Sequence, residues 1–191
     1  MLSDRIAGAF TFKREVFAEV ENDPSFTSTA WLIVIVVGFL NQLGSHAGQG
    51  ATKWILGAVL GTVGVVIGFA VAAMVISIVG KSVFNAQVTF DELVRTLGLA
   101  YVWNVIGFIG VLAGFSRALS CLLWPVLFLG AILGLIAWFV AAKEALDLEW
   151  SQTIITVVIG WIALLVVLVI TGAILGLIGV AAAGIGGLLS P

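Results

Sequence analysis

The chain has 191 residues, 62% of them apolar and 9% charged, with 8 Lys+Arg against 10 Asp+Glu for a formal net charge of -2. A water-soluble domain carries about 25% charged residues, so these charges are too few to coat a soluble globule. Composition argues against a soluble enzyme, a nucleic-acid-binding protein and a disordered chain. It points to an integral membrane protein. A membrane-crossing helix takes about 20 residues, which leaves room for four to six spans.

Residues 4–23 hold eight charges. Leu2, Ile6, Phe10, Phe17 and Val20 fall near one helical face, with Lys13 as the exception. This pattern predicts an amphipathic helix lying in the membrane interface, ended by Asp23-Pro24. Acids precede the first long apolar run, so a cleaved signal is not expected.

Five spans follow, at about 27–44, 53–80, 96–115, 119–142 and 152–178, with an apolar Gly-rich tail at 179–191. Thr89 and Glu92 have capping-box spacing, so a helix should begin near Phe90 and run into the third span. Pro125 should fall in or just beyond the opening turn of the fourth. The last stretch, residues 152–189, is too long for one crossing, and Thr171-Gly172 and residues 184–187 are its expected breaks. With the N-terminus inside, six bases lie on the inner side and two, Lys53 and Arg117, on the outer. The positive-inside rule then gives a cytoplasmic N-terminus and an external C-terminus.

Small residues form stripes. Gly57, Gly61, Gly64 and Gly68 mark one face of the second span. Gly107 and Gly110 mark the third, Gly130 and Gly134 the fourth, Gly172 and Gly176 the fifth. Such stripes let helix backbones approach closely in lipid. They predict bundle packing, with a homo-oligomer or partner-helix face as the sharper reading. The heptapeptide at 130–136 recurs at 172–178, but the flanks do not support a duplicated transporter.

No acid lies inside an expected span. Asn104 is the main intramembrane polar residue, read as an interhelical hydrogen bonder or a solute-binding amide. The single His46 lies on the opposite side from every acid, so no catalytic triad can assemble. No phosphate loop, nucleotide fingerprint or metal-ligand cluster is present, and no cofactor is expected. His46 reads as a solvated loop residue. The expected inner face carries ten acids and six bases, which suits a protein partner better than anionic lipid.

The order and spacing of these elements resemble the Yip family of five-span membrane proteins. The likeness rests on Asp23-Pro24 before the first span and on the polar lead-in at 88–98 to Leu99-Ala-Tyr101. It extends to the tight turn before a span opening near Trp124, and to Ala142-Lys-Glu-Ala-Leu146 before the fifth. Gly98 and Tyr101 are the family-motif candidates. A proline common after that tyrosine is absent, as is the Asp-Leu-Tyr-Gly-Pro signature of eukaryotic members, which points to a prokaryote-like branch. The resemblance implies a five-span all-α bundle, with small-GTPase binding and vesicle traffic as attributes of the wider family.

The sequence is read as an all-α polytopic bundle, with residues 1–24 as a cytoplasmic amphipathic segment and 25–191 as the transmembrane domain. The expected function is a non-enzymatic scaffold or accessory subunit in contact with membrane lipids and with a homo-oligomer or membrane-protein partner. A small transporter or channel, or a membrane-shaping protein, is the alternative.

Overall fold

A computed structural model describes the backbone of residues 1–114 and 116–189, and the side chains of that range except Arg117, Leu175 and 177–189. The described residues are helical, without strands. In chain order they form α1 (Leu2–Phe10), α2 (Arg14–Glu21), α3 (Phe26–Ser45), α4 (Ala51–Phe84) and α5 (Phe90–Ala100). A 3-10 segment (Tyr101–Ile109) leads into α6 (Gly110–Ala113), then α7 (Arg117–Leu146) and α8 (Trp150–Leu189). Five stretches are long and apolar enough to cross a membrane: Phe26–Ser45, Ala51–Phe84, Phe90–Ala113, Ala118–Leu146 and Trp150–Ile174. The protein is therefore an integral membrane helix bundle.

The N-terminal segment forms two helices where one was expected. The chain breaks at Thr11-Phe12-Lys13, where Phe12 adopts φ 56° and the Lys13 N–H donates to the Gly8 carbonyl at 2.9 Å. A Cβ on Gly8 would overlap the Val16 side chain, so glycine permits the tight corner between α1 and α2. The break also accounts for Lys13, which no longer has to share the apolar face. The pair does not float in the interface. Ala9, Phe17 and Val20 are fully buried against the bundle. Trp103 stacks on Phe12 at 5.3 Å, meets Phe10 edge-on at 5.1 Å, and donates its indole N–H to the Ala9 carbonyl at 3.2 Å.

α4 packs along α8 and α3, and the third span lies between α3 and α7. Phe69 is the aromatic centre. It is fully buried and meets Trp31, Tyr101 and Trp138 edge-on, with centroids 5.5 to 5.9 Å apart. The α3–α4 hairpin is fastened by the Trp54 indole N–H, which donates to the Leu43 carbonyl at 2.7 Å.

α5 starts where the capping box places it. The Thr89 hydroxyl accepts from the Glu92 N–H at 3.2 Å while the Glu92 carboxylate accepts from the Thr89 N–H at 2.6 Å. Three features depart from expectation. The third span is 3-10 over its middle nine residues. Pro125 sits inside α7, eight residues past its start; Pro125 is exposed, and the gap left by its missing N–H does not break the helix. α8 runs unbroken from Trp150 to Leu189, through Thr171-Gly172 and through residues 184–187. Forty residues at 1.5 Å each make about 60 Å of helix, twice the hydrocarbon thickness of about 30 Å.

Candidate functional site at the charged end of the bundle

The fold gathers three charged segments that are far apart in sequence: α1–α2, the approach to α5, and the end of α7. Arg95 joins the first two, and the Arg14–Glu144 pair brings in the third. Arg95 lies on α5 with only 6% of its surface exposed, on a helix whose residues from Leu93 to Ala100 are all buried. Its Nε–H is shared between the Val20 and Glu21 carbonyls, each at 3.0 Å. Nη2 donates to the Glu21 carbonyl, and Nη1 to the Thr27 hydroxyl at 3.3 Å. These carbonyls lie at the C-terminus of α2, where the Val20 carbonyl also accepts from the Asp23 N–H at 3.2 Å and a cation meets the negative end of the helix dipole. One buried guanidinium thus ties α2, α3 and α5 at a point.

Ion pairs surround this centre. Arg5 bridges Glu19 at 2.6 Å and Asp23 at 3.0 Å, with its guanidinium 5.1 Å from the centre of the Phe26 ring. Arg14 on α2 pairs with Glu144 on α7. Hydrogen bonds from Ser25 and Arg5 hold the Asp23 carboxyl below its ordinary value. Glu21 moves the other way. Burial, then the carboxylates of Asp147, Glu92 and Glu144, push it up to about 7, against the opposing pull of Arg95. What remains for a partner has an acidic excess, four exposed acids against the exposed Lys13 and Lys81, likewise unpaired among the described residues. Glu15, Asp91, Asp147 and Glu149 are exposed and form no ion pair among the described residues.

The glycine stripes of α4, the third span and α7 meet neighbours within the bundle. A Cβ on Gly57 would overlap His46, and one on Gly61 would overlap Gln42, both on the α3 side. Gly64 and Gly68 face Thr171 and Leu164 of α8. Gly107 and Gly110 meet Gly44 and Asn41 on α3, Gly130 faces Ile106, and Gly134 faces Trp103. Gly172 and Gly176 have nothing within 4 Å among the described residues. His46, expected in a solvated loop, is half-buried against Gly57.

Gly98 lies against the Ala30 backbone, with a hypothetical Cβ 3.2 Å from its carbonyl oxygen. Tyr101 is buried beside Phe69. Both family-motif positions therefore set how the third span packs.

At depth, the interhelical hydrogen bond is made by Asn41, which donates to the backbone carbonyl of Asn104 at 2.9 Å. The Asn104 side chain donates to the Tyr101 carbonyl of its own segment at 3.3 Å. A cavity of about 220 Å³ opens beside Asn41, Asn104, Trp103 and Ser45. The Trp161 indole N–H, close by, is buried without a partner among the described residues.

Such a bundle, five apolar spans closed at one end by a packed polar junction, defines a polytopic helical membrane protein. The Yip1 domain matches residues 7–172. The chain belongs to the Yip family. No match was found among curated proteins or among solved structures.

Proposed function

We propose that this Yip-family protein is a non-enzymatic membrane scaffold or accessory subunit that offers its charged end to a partner protein. The observation that carries the reading is the packing of three charged segments into one ordered surface, joined by Arg95 and by the Arg14–Glu144 pair, with four exposed, unpaired acids against two such lysines on its rim. Such a surface suits a partner with basic residues, since opposed potentials speed encounter and fix register. In this reading the N-terminus and the charged end are cytoplasmic and the C-terminus is external. The membrane is the inner membrane of a prokaryote, or an endomembrane in a eukaryote.

The test is gentle-detergent affinity purification at native expression, with mass spectrometry for identity and stoichiometry. A stoichiometric partner that is lost on combining Glu15→Lys with Asp91→Lys supports the reading. Recovery alone, as a monomer or homo-oligomer, overturns it. A second reading, a path for small neutral solutes, is favoured by the cavity at Asn41 and Asn104. Flux in liposomes that survives Asn104→Leu unchanged counts against it. The burial of Ala9, Phe17 and Val20 leaves less support for the N-terminal helices as a free membrane wedge.

A further inference from the structure

A cleft beside α1 changes character along its length. Its deep part, about 290 Å³, is walled by Ile6, Phe10, Leu32, Val36, Val102 and Val105 and their neighbours, and Thr29 is the single polar residue in the lining. Its mouth is polar, lined by Arg5, Ser25, Phe26 and Thr29 with Met1 and Leu2. Leu2 and Thr29 belong to both parts, so mouth and groove are continuous. The groove opens on the lipid-facing side, where Leu32 and Val36 are about half exposed.

The donors and acceptors at the mouth are not exhausted. A guanidinium has five N–H donors, and Arg5 spends three of them on Glu19 and Asp23. Two remain. The Thr29 hydroxyl forms no hydrogen bond among the described residues and sits where the polar mouth gives way to the apolar groove. The charged groups of the lining are the Arg5 guanidinium and the Met1 ammonium, and three carboxylates are paired with them, Glu19 and Asp23 with Arg5 and Asp4 with Met1. These groups around the mouth sum to one net negative charge, which repels an anionic headgroup and attracts an ammonium.

We propose that this cleft binds one zwitterionic phospholipid of the ethanolamine type. Its ammonium meets Glu19 and Asp23, its phosphate takes the two spare Arg5 donors, an ester carbonyl accepts from Thr29, and an acyl chain fills the groove. An amphiphile with this polar-to-apolar order matches the cleft along its whole length. The site is separate from the acidic rim, so it stands or falls independently of the partner-binding reading.

Native mass spectrometry of the full chain tests it, with equal amounts of phosphatidylethanolamine and phosphatidylglycerol of matched acyl chains. The expected result is one phosphatidylethanolamine retained in preference. Val36→Trp, at a lipid-facing position, should lower that retention about tenfold by filling the groove. Thr29→Val should lower it about fivefold, the worth of one hydrogen bond of about 1 kcal/mol. Val169→Trp, on an exposed face of α8, should leave it unchanged. Equal retention of phosphatidylglycerol overturns the proposal, as does retention unaffected by Thr29→Val in a protein with unchanged helix content.

Discussion

At the charged end, α5 buries every residue from Leu93 to Ala100, and α1, α2 and the end of α7 close over it. Farther along α7 and α8 the picture inverts. The apolar stretch of α7 is only 11% buried, and Leu122, Trp124 and Val169 are all more than 60% exposed. The same apolar composition is thus held in two different ways. The charged end behaves like a small soluble core, where burial, caps and hydrogen bonds specify one arrangement. The exposed faces are solvated by lipid tails, which are as apolar as leucine and leave no hydrophobic drive between helices. Packing is densest around α5 and the Phe69 centre and thins along the lipid-facing lengths of α7 and α8.

That contrast can be broken at its strongest point first. Phe69→Ala should cost about 3–5 kcal/mol through a cavity beside Trp31, Tyr101 and Trp138, read as a lower midpoint of SDS-induced unfolding in mixed micelles. Arg95→Met should cost about 3 kcal/mol, because the Val20 and Glu21 carbonyls lose a charged donor. It should also make residues 1–22 sensitive to protease while the spans stay helical.

Smaller effects sharpen the comparison. Gly98→Leu forces α5 off the Ala30 backbone and should cost about 1–3 kcal/mol. Gly172→Leu, with nothing within 4 Å, should stay within about 0.5 kcal/mol. Equal losses from the two glycine substitutions would erase the distinction between the regions.

Glu21 gives a pH handle. Its carboxyl titrates near 7 in the folded protein, above the ordinary 4.5, so the folded state holds this proton more tightly than the unfolded chain. Stability from this group is greatest below pH 4.5 and falls as pH rises through 7. Glu21→Gln should flatten that slope and raise stability at pH 8 by about 1 kcal/mol, a figure discounted for solvent screening.

The spans were legible because twenty-residue apolar runs have few alternatives. The start of α5 was legible because a capping box is local chemistry between residues three apart. Stripes revealed which face of a helix is small, but not which neighbour uses it. The stripe at Gly57, Gly61, Gly64 and Gly68 in fact divides between α3 and α8.

Asn104 drew attention as the deep amide, yet Asn41 makes the interhelical bond, because the Asn104 amide turns back to the Tyr101 carbonyl of its own segment. Arg95 was counted only as a loop-side base. The available signal was its position in Leu93-Val94-Arg95-Thr96-Leu97, a charge embedded in the most apolar part of a capped helix. The 3-10 stretch left no such mark, because it carries no proline and its one glycine, Gly107, also suits an α-helix. The continuity of α8 past Thr171-Gly172 shows that glycine weakens a helix without dictating where it stops.

The grip of Arg95 on α2 has a consequence for how this protein can change. Its acceptors there are the main-chain oxygens of Val20 and Glu21, which every amino acid supplies. Changing either side chain leaves these acceptors in place, although Val20 is held by its burial in the core, whereas the guanidinium has no substitute with the same fork. The junction therefore confines its hydrogen-bonding demand to one position and leaves the exposed side of α2 free to acquire a new surface.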